Sequence, residues 1–380
     1  MRGNGNFICH FLVANKMAYP KTTVIGSFPD APGDVSYVID RQLRHGINIV
    51  CDGQLRHDMN VYFAKTITGF DVTPENKPIL IGNVSGINPT GLDVLVSDLR
   101  KAQEQIARNS LSRFYSVELK ANITGPVTLG FTAANNGQLG EEALKLYDGF
   151  YRTDKNDNTK VVNKRFWKDI GASMGMVVQA YETMGIRHIQ IDEPMVSASK
   201  KSTIPMLKIA LEEIIGARKN KNTKFYMHSC GDISHVYNEL VELKSIEAFS
   251  FEFAGTPSNL EVISRESLES NNKKLLLGVI KSSEPEPSDV LMHVYKDMRS
   301  SMYGKRCDWD APTSQVLEPH IIKCLEIYDA AAKKVGEENI AQINPDCGLG
   351  GFRQLGTSAI IASVSKLKIL QEVQKRLIAR

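Results

Sequence analysis

Eight short apolar, β-branched runs constrain this chain most, because each becomes a buried strand only if helices cover the sheet that they build. They are TTVIGSF (22–28), INIVCDG (47–53), SVELKANITGP (116–126), RHIQIDEP (187–194), KFYMHSC (224–230), AFSFEF (248–253), KLLLGVI (274–280) and NIAQINPDCG (339–348). Helix-like stretches separate most of them, among them LDVLVSDLRKAQEQIAR, KDIGASMGMVVQAYETMG, IPMLKIALEEIIGARK and HIIKCLEIYDAAAKKVG, and ASVSKLKILQEVQKRLIAR closes the chain. Eight strand–helix units specify an α/β fold of the (β/α)8 TIM-barrel type. A doubly wound sheet would want G-x-G-x-x-G after an early strand, and none is present.

The run KPILIGNVSG (77–86) is expected as a hairpin inserted after the second strand. Residues 131–165, rich in Asn, Asp, Gly and Lys, are expected as a long excursion after the third. With no internal repeat and no evident linker, residues 17–380 are expected to form a single domain. Residues 1–16, ahead of Met17, read as a non-catalytic extension: FICHFLVA is too short to span a bilayer, and no A-x-A-like cleavage site follows it. Basic and acidic residues, 46 against 43, are scattered along the chain, so no nucleic-acid or membrane partner is expected. The six cysteines are too sparse for a secreted disulfide scaffold and read as reduced thiols or metal ligands in a cytoplasmic protein. Cys307 and Cys324, away from strand ends, are taken as structural.

A barrel of this type places its chemistry at the C-terminal ends of the strands. His228 and Cys230, two apart on one run, leave the same strand face. Glu252 ends the next run between Phe251 and Phe253, where a carboxylate without a partner would cost several kcal/mol. Cys347 ends the last run. One imidazole, one carboxylate and two thiols on one rim make a donor set that suits Zn²⁺, one ion per chain. The bland alternatives are a hydrogen-bonded structural histidine and buried cysteines acting as small hydrophobes. Asp192 and Glu193 end IQIDEP, and alternation lets only one point inward. Asp192, two residues after Gln190, is the choice, as acid/base or as a clamp for an ammonium. The turn IGSF, with Ile25, Gly26 and Ser27, offers backbone N–H groups and a hydroxyl to a carboxylate. The two clamps together describe an amino-acid site.

With TTVIGSFP, DGQLRHDM, ITGPVT, IQIDEP, HSC, Glu252 and NPDCGLG assembled in order, the chain resembles the cobalamin-independent methionine synthases, specifically their catalytic barrel and the short archaeal-type branch. The resemblance implies zinc held by His228, Cys230, Glu252 and Cys347, and transfer of a methyl group to the thiol of homocysteine to give methionine. It further implies that Ile25 and Ser27 hold the substrate carboxylate, that Asp192 holds the ammonium, and that Glu252 is the ligand most easily exchanged. Gln54 stands where long members place a glutamate that grips the ammonium. GVIKSSEPEPSD lacks the aspartate and histidine that follow the seventh strand in those enzymes. That loss, with the absence of their N-terminal barrel from this sequence, leads to the expectation of a methylcorrinoid donor such as methylcobalamin, presented by a corrinoid protein, in place of a folate. The rival readings are a methyltransferase acting on another thiol such as coenzyme M, a homocysteine or zinc reservoir, and a decarboxylase of the uroporphyrinogen type. The amino-acid clamps speak against the first, the complete ligand set against the second, and the lack of a basic cluster against the third.

Overall fold

The computed structural model describes residues 19–29, 34–113, 115–136, 139–157, 160–199, 201–282, 314–355 and 358–380. The expected extension at 1–16, Cys307, and the segment that follows Ser282 lie outside them. Ten strands are present among the described residues: β1 Lys21–Thr22, β2 Ile49–Val50, β3 Phe70–Val72, β4 Pro78–Leu80, β5 Glu118–Thr124, β6 His188–Asp192, β7 Lys224–Ser229, β8 Ala248–Glu252, β9 Lys274–Ile280 and β10 Ile340–Pro345. Eight of them form one sheet in the order β1-β10-β9-β8-β7-β6-β5-β2, and every pairing is parallel. A parallel bridge between Thr23 and Ile49 joins the two ends, so the sheet curls into the (β/α)8 barrel.

The remaining pair, β3 and β4, is an antiparallel hairpin between the second and third barrel strands. The run at 77–86 therefore supplies only one arm of it; Phe70–Val72 supplies the other. The excursion after β5 contains the helix Glu141–Tyr147 and is tied to the hairpin by Gly140 N–H donating to Leu80 O at 2.9 Å. Phe150 wedges it against the helix Lys164–Thr183, its ring centroid 4.1 Å from that of Phe166. Helix starts follow local chemistry: Asp34, Asp58, Asn88 and Asn163 each accept a hydrogen bond from an N–H two residues on.

Two chemically different layers result from strand alternation. Outward residues such as Ile123, Ile191, Met227, Phe251 and Leu277 pack under the helices in the main apolar core. Inward residues of β5, β6, β7, β8 and β10 are largely polar and bond to one another across the barrel: Lys120 to Gln190, Asn122 to Asp192, His228 to Ser250, and Ser250 to Asn344. This also explains why β1 is so short. The carbonyls of Val24 and Ile25, which a longer strand would offer to a neighbour, accept instead from the side chains of Lys120, Gln190 and Asn122. At the opposite, N-terminal end, His188 lies 2.8 Å from Tyr226 Oη and 3.0 Å from Glu118, closing the base of the barrel.

Candidate active site

The register aligns Thr124, Asp192 and His228 side by side on β5, β6 and β7, which puts the clamp and the metal-ligand candidates on one rim. His228 Nε2 is 2.9 Å from Cys230 Sγ, and Cys230 Sγ is 3.2 Å from Cys347 Sγ. The donor atoms of His228, Cys230 and Cys347 all lie within 4.8 Å of one another, although Cys347 is 117 residues further along the chain than Cys230. Hydrogen bonds from Cys230 and His228 hold the Cys347 thiol well below the ordinary range, and the same contact pushes Cys230 well above it. The two sulfurs lie within hydrogen-bond distance of each other, beside the imidazole. Burial works against charge on His228, but Cys347 outweighs it and raises the imidazole. Such a cluster offers soft anionic and neutral donors to a cation, which fits zinc.

The supports of these donors come from β8 and β9. His228 Nδ1 is 3.2 Å from Ser250 Oγ, which leaves Nε2 facing the sulfurs. Cys347 N–H donates to Ser282 Oγ at 2.7 Å. Asp346 accepts from the N–H groups of Phe253, Ala254 and Gly255 and so fixes the loop that follows Glu252. Burial raises the Asp346 carboxyl to about 7, against those three donors. Only glycine fits at 278 beside it, because a Cβ there would come within 2.5 Å of both Asp346 Oδ1 and Phe251 O. Glu252 itself ends β8 on this rim and accepts from Thr256 Oγ1 at 3.0 Å. It is not within the 4.8 Å set.

The residues expected to form the clamp make a buried network. Asp192 Oδ1 accepts from Gln190 Nε2 at 2.6 Å and Oδ2 from Asn122 Nδ2 at 3.1 Å. Burial raises the Asp192 carboxyl, opposed by His228 and by these amides. Glu193 turns the other way and caps the helix Pro126–Asn135, accepting from Val127 N–H, Thr128 N–H and Thr128 Oγ1 at 2.9, 2.9 and 2.7 Å. The inward choice of Asp192 over Glu193 agrees with these contacts. Ser27 packs against Gly348 and Gly350 of the loop that carries Cys347, and its carbonyl accepts from Gly350 N–H at 2.9 Å. Gln54 adopts φ +45° after Gly53 at +86°, an uncommon backbone for a side-chain-bearing residue. Arg353 Nη2 donates to the carbonyls of Gln54 and Phe28 at 3.1 and 3.3 Å, tying both turns to the short helix Leu349–Leu355 that follows β10.

Lys120, Asn122, Ser250 and Arg353 were not singled out from sequence. The signal for three of them was the same period-two pattern that exposed His228: K-x-N on the run before TGP, and the serine between two phenylalanines in AFSFEF. Cys51, by contrast, is buried, donates to Gly26 O at 3.1 Å and has its thiol pushed up to about 12 by burial. It is no ligand candidate. A groove of about 1330 Å³ opens beside the rim, lined among others by Lys164, Lys201, Lys208 and His235. Its wall includes Ser197, whose hydroxyl donates to Cys230 O.

The family described as cobalamin-independent synthase, catalytic domain, matches residues 30–300. The chain belongs to this family. Methionine synthases from Methanothermobacter thermautotrophicus and Methanocaldococcus jannaschii are 26% and 27% identical to it, over 86% and 71% of this chain and 92% and 80% of theirs. Among solved structures, a B12-independent methionine synthase from Shewanella sp. W3-18-1, in complex with selenomethionine, superposes with a TM-score of 0.62 at 17% identity. That match covers 96% of this chain and all of that one. A methyltransferase from Methanosarcina mazei gives 0.53 at 13% identity over 97% of each chain. These two likenesses concern the fold. Membership in the cobalamin-independent synthase family gives no support to the methylcorrinoid donor expected from sequence. No helix among the described residues is long and apolar enough to cross a membrane.

Proposed function

We propose that this chain is a zinc-dependent methyltransferase that moves a methyl group to the sulfur of L-homocysteine, forming L-methionine. The observation that carries the reading is the meeting of His228, Cys230 and Cys347 on the same rim as the buried Asp192 clamp. Zinc, when bound, supplies the positive charge that turns a thiol of ordinary pKa about 8.5 into a thiolate at neutral pH. His228, Cys230 and Cys347 would hold it. Glu252 is the fourth donor of the proposal and the one most readily exchanged, since it is partly exposed and its carboxylate accepts from Thr256.

The remaining residues orient the substrate. Asp192, held between its two amide donors, takes the ammonium. The turn at Ile25, Gly26 and Ser27 takes the carboxylate through backbone N–H groups and the Ser27 hydroxyl. Anchoring both ends of the amino acid aims its thiol along the rim toward the sulfur-lined cluster, which converts a bimolecular encounter into a positioned one. On the donor, two considerations pull apart. The family is named for independence from cobalamin, whereas GVIKSSEPEPSD contains no histidine to protonate a leaving amine. That second point favours a methylcorrinoid, which leaves without a proton.

The test is methionine formation from homocysteine by the metal-loaded protein, with methylcobalamin and methyltetrahydrofolate run side by side, before and after zinc removal. Turnover that disappears with zinc and returns on its addition supports the reading. Turnover of 2-mercaptoethanesulfonate in preference to homocysteine would replace it with the coenzyme M alternative.

A further inference from the structure

The turn Ile25–Phe28 is held by two kinds of contact. As far as Ile25 it is fixed from inside the barrel, where Lys120, Asn122 and Gln190 donate to the carbonyls of Val24 and Ile25. Beyond Ile25 it is fixed by neighbouring loops. Phe28 N–H donates to Gly53 O at 2.8 Å, Ser27 O accepts from Gly350 N–H at 2.9 Å, and Phe28 O accepts from Arg353 Nη2 at 3.3 Å. The facing turn holds Gly53 at φ +86° and Gln54 at +45°, a backbone that persists only where its surroundings over-determine it. Gln54 is buried, and its carbonyl accepts from the same Arg353 nitrogen at 3.1 Å. A guanidinium Nη carries two hydrogens, enough for one carbonyl each. One nitrogen therefore pins both turns to the helix Leu349–Leu355, just after Cys347.

We propose that Arg353 is a positioning residue of the amino-acid site, acting through Phe28 and Gln54 to fix the spacing between the two turns. That spacing is tight where they meet: a Cβ on Gly26 would lie 3.2 Å from Gln54 Oε1. A turn that drifts loses the aim of its backbone N–H groups, and small misplacements of a binding group are costly. The metal-ligand candidates have separate supports, Ser250 for His228, Ser282 for Cys347, and Asp346 for the loop after Glu252. Loss of the Arg353 bonds therefore weakens amino-acid binding and leaves zinc affinity unchanged. The inference rests on the amino-acid reading given above.

The experiment pairs two titrations of the full chain: zinc against a chelator of known affinity, and L-methionine into the zinc-loaded protein by calorimetry. Arg353→Met keeps an apolar stem and removes the donors. It is expected to bind L-methionine about tenfold more weakly or worse, with zinc affinity within about twofold of wild type. Arg353→Lys keeps one cationic nitrogen with several N–H groups, so it should bind L-methionine more tightly than Arg353→Met does. Unchanged L-methionine binding in Arg353→Met overturns the proposal. So does an equal loss of zinc and L-methionine, which marks a general structural role, and so does a lysine variant no better than the methionine one. If Arg353→Met does not fold, Arg353→Gln, polar but too short to reach both carbonyls, carries the same expectations. Failure of wild type to bind L-methionine would overturn the amino-acid reading itself, whereas wild-type binding that the variants retain overturns only the role of Arg353.

Discussion

Replacing Ser250 by alanine removes one oxygen from a fully buried position and tests whether the candidate cluster is built to hold a metal. In the protein that oxygen lies 3.2 Å from His228 Nδ1 and accepts from Asn344 Nδ2 at 3.3 Å. Asn344 Nδ2 also donates to Pro345 O at 2.7 Å and keeps that partner after the change. The loss therefore falls on His228, whose Nδ1–H would be left unpaired inside the barrel. A buried donor left without a partner costs about 1–3 kcal/mol. Supports of metal-ligating histidines change affinity by about 10–100-fold, or about 1.4–2.7 kcal/mol. Competition for Zn²⁺ against a chelator of known affinity should show a weakening in that range, while the metal-free variant loses about 1–3 kcal/mol of unfolding free energy from the unpaired donor. A folded Ser250→Ala protein that keeps wild-type zinc affinity within twofold would refute the reasoning, because His228 would then owe its aim to something else.

Other consequences follow from the same contacts. Gly125→Ala would place a Cβ 2.0 Å from Glu193 Cδ, displacing the carboxylate that caps Pro126–Asn135; denaturant unfolding should show a loss of about 3 kcal/mol. Lys120 is buried and its pKa is lowered by burial from 10.5 to about 8. Between those values the unfolded chain binds the extra proton, so this group adds stability as pH rises through the window, by a few kcal/mol at most. Lys120→Met should therefore lose that rise relative to wild type between pH 8 and 10.5, measured as the difference in unfolding free energy. Cys51→Ala should keep zinc content and methyl transfer within about twofold, since its thiol serves only Gly26 O; a lost metal would place Cys51 in the site after all.

How much of this was legible in sequence depends on distance along the chain. His228 and Cys230 share a face because strands alternate, and that could be read from two residues. Their meeting with Cys347 needed eight strands in one circular order, which the spacing of apolar runs carried. The hairpin was half legible: Pro78–Leu80 sits in an apolar run, but Phe70–Val72 is three residues with an aspartate at its centre. The early end of β1 was not legible, because it depends on Lys120, Gln190 and Asn122 reaching the Val24 and Ile25 carbonyls from strands about 95 to 165 residues away. Asp346 follows the last strand directly. Its contacts make it a brace for the loop after Glu252, a role set by the bare Cα of Gly278 on the adjacent strand.

The central claim is that His228, Cys230 and Cys347 share one ion that also receives the sulfur of the substrate. X-ray absorption at the zinc edge of the loaded protein measures this directly. Two sulfur neighbours are expected in the resting protein, three after homocysteine is added, and one fewer in each state for Cys347→Ala. A zinc environment of nitrogen and oxygen alone, or a sulfur count that homocysteine leaves unchanged, would contradict it.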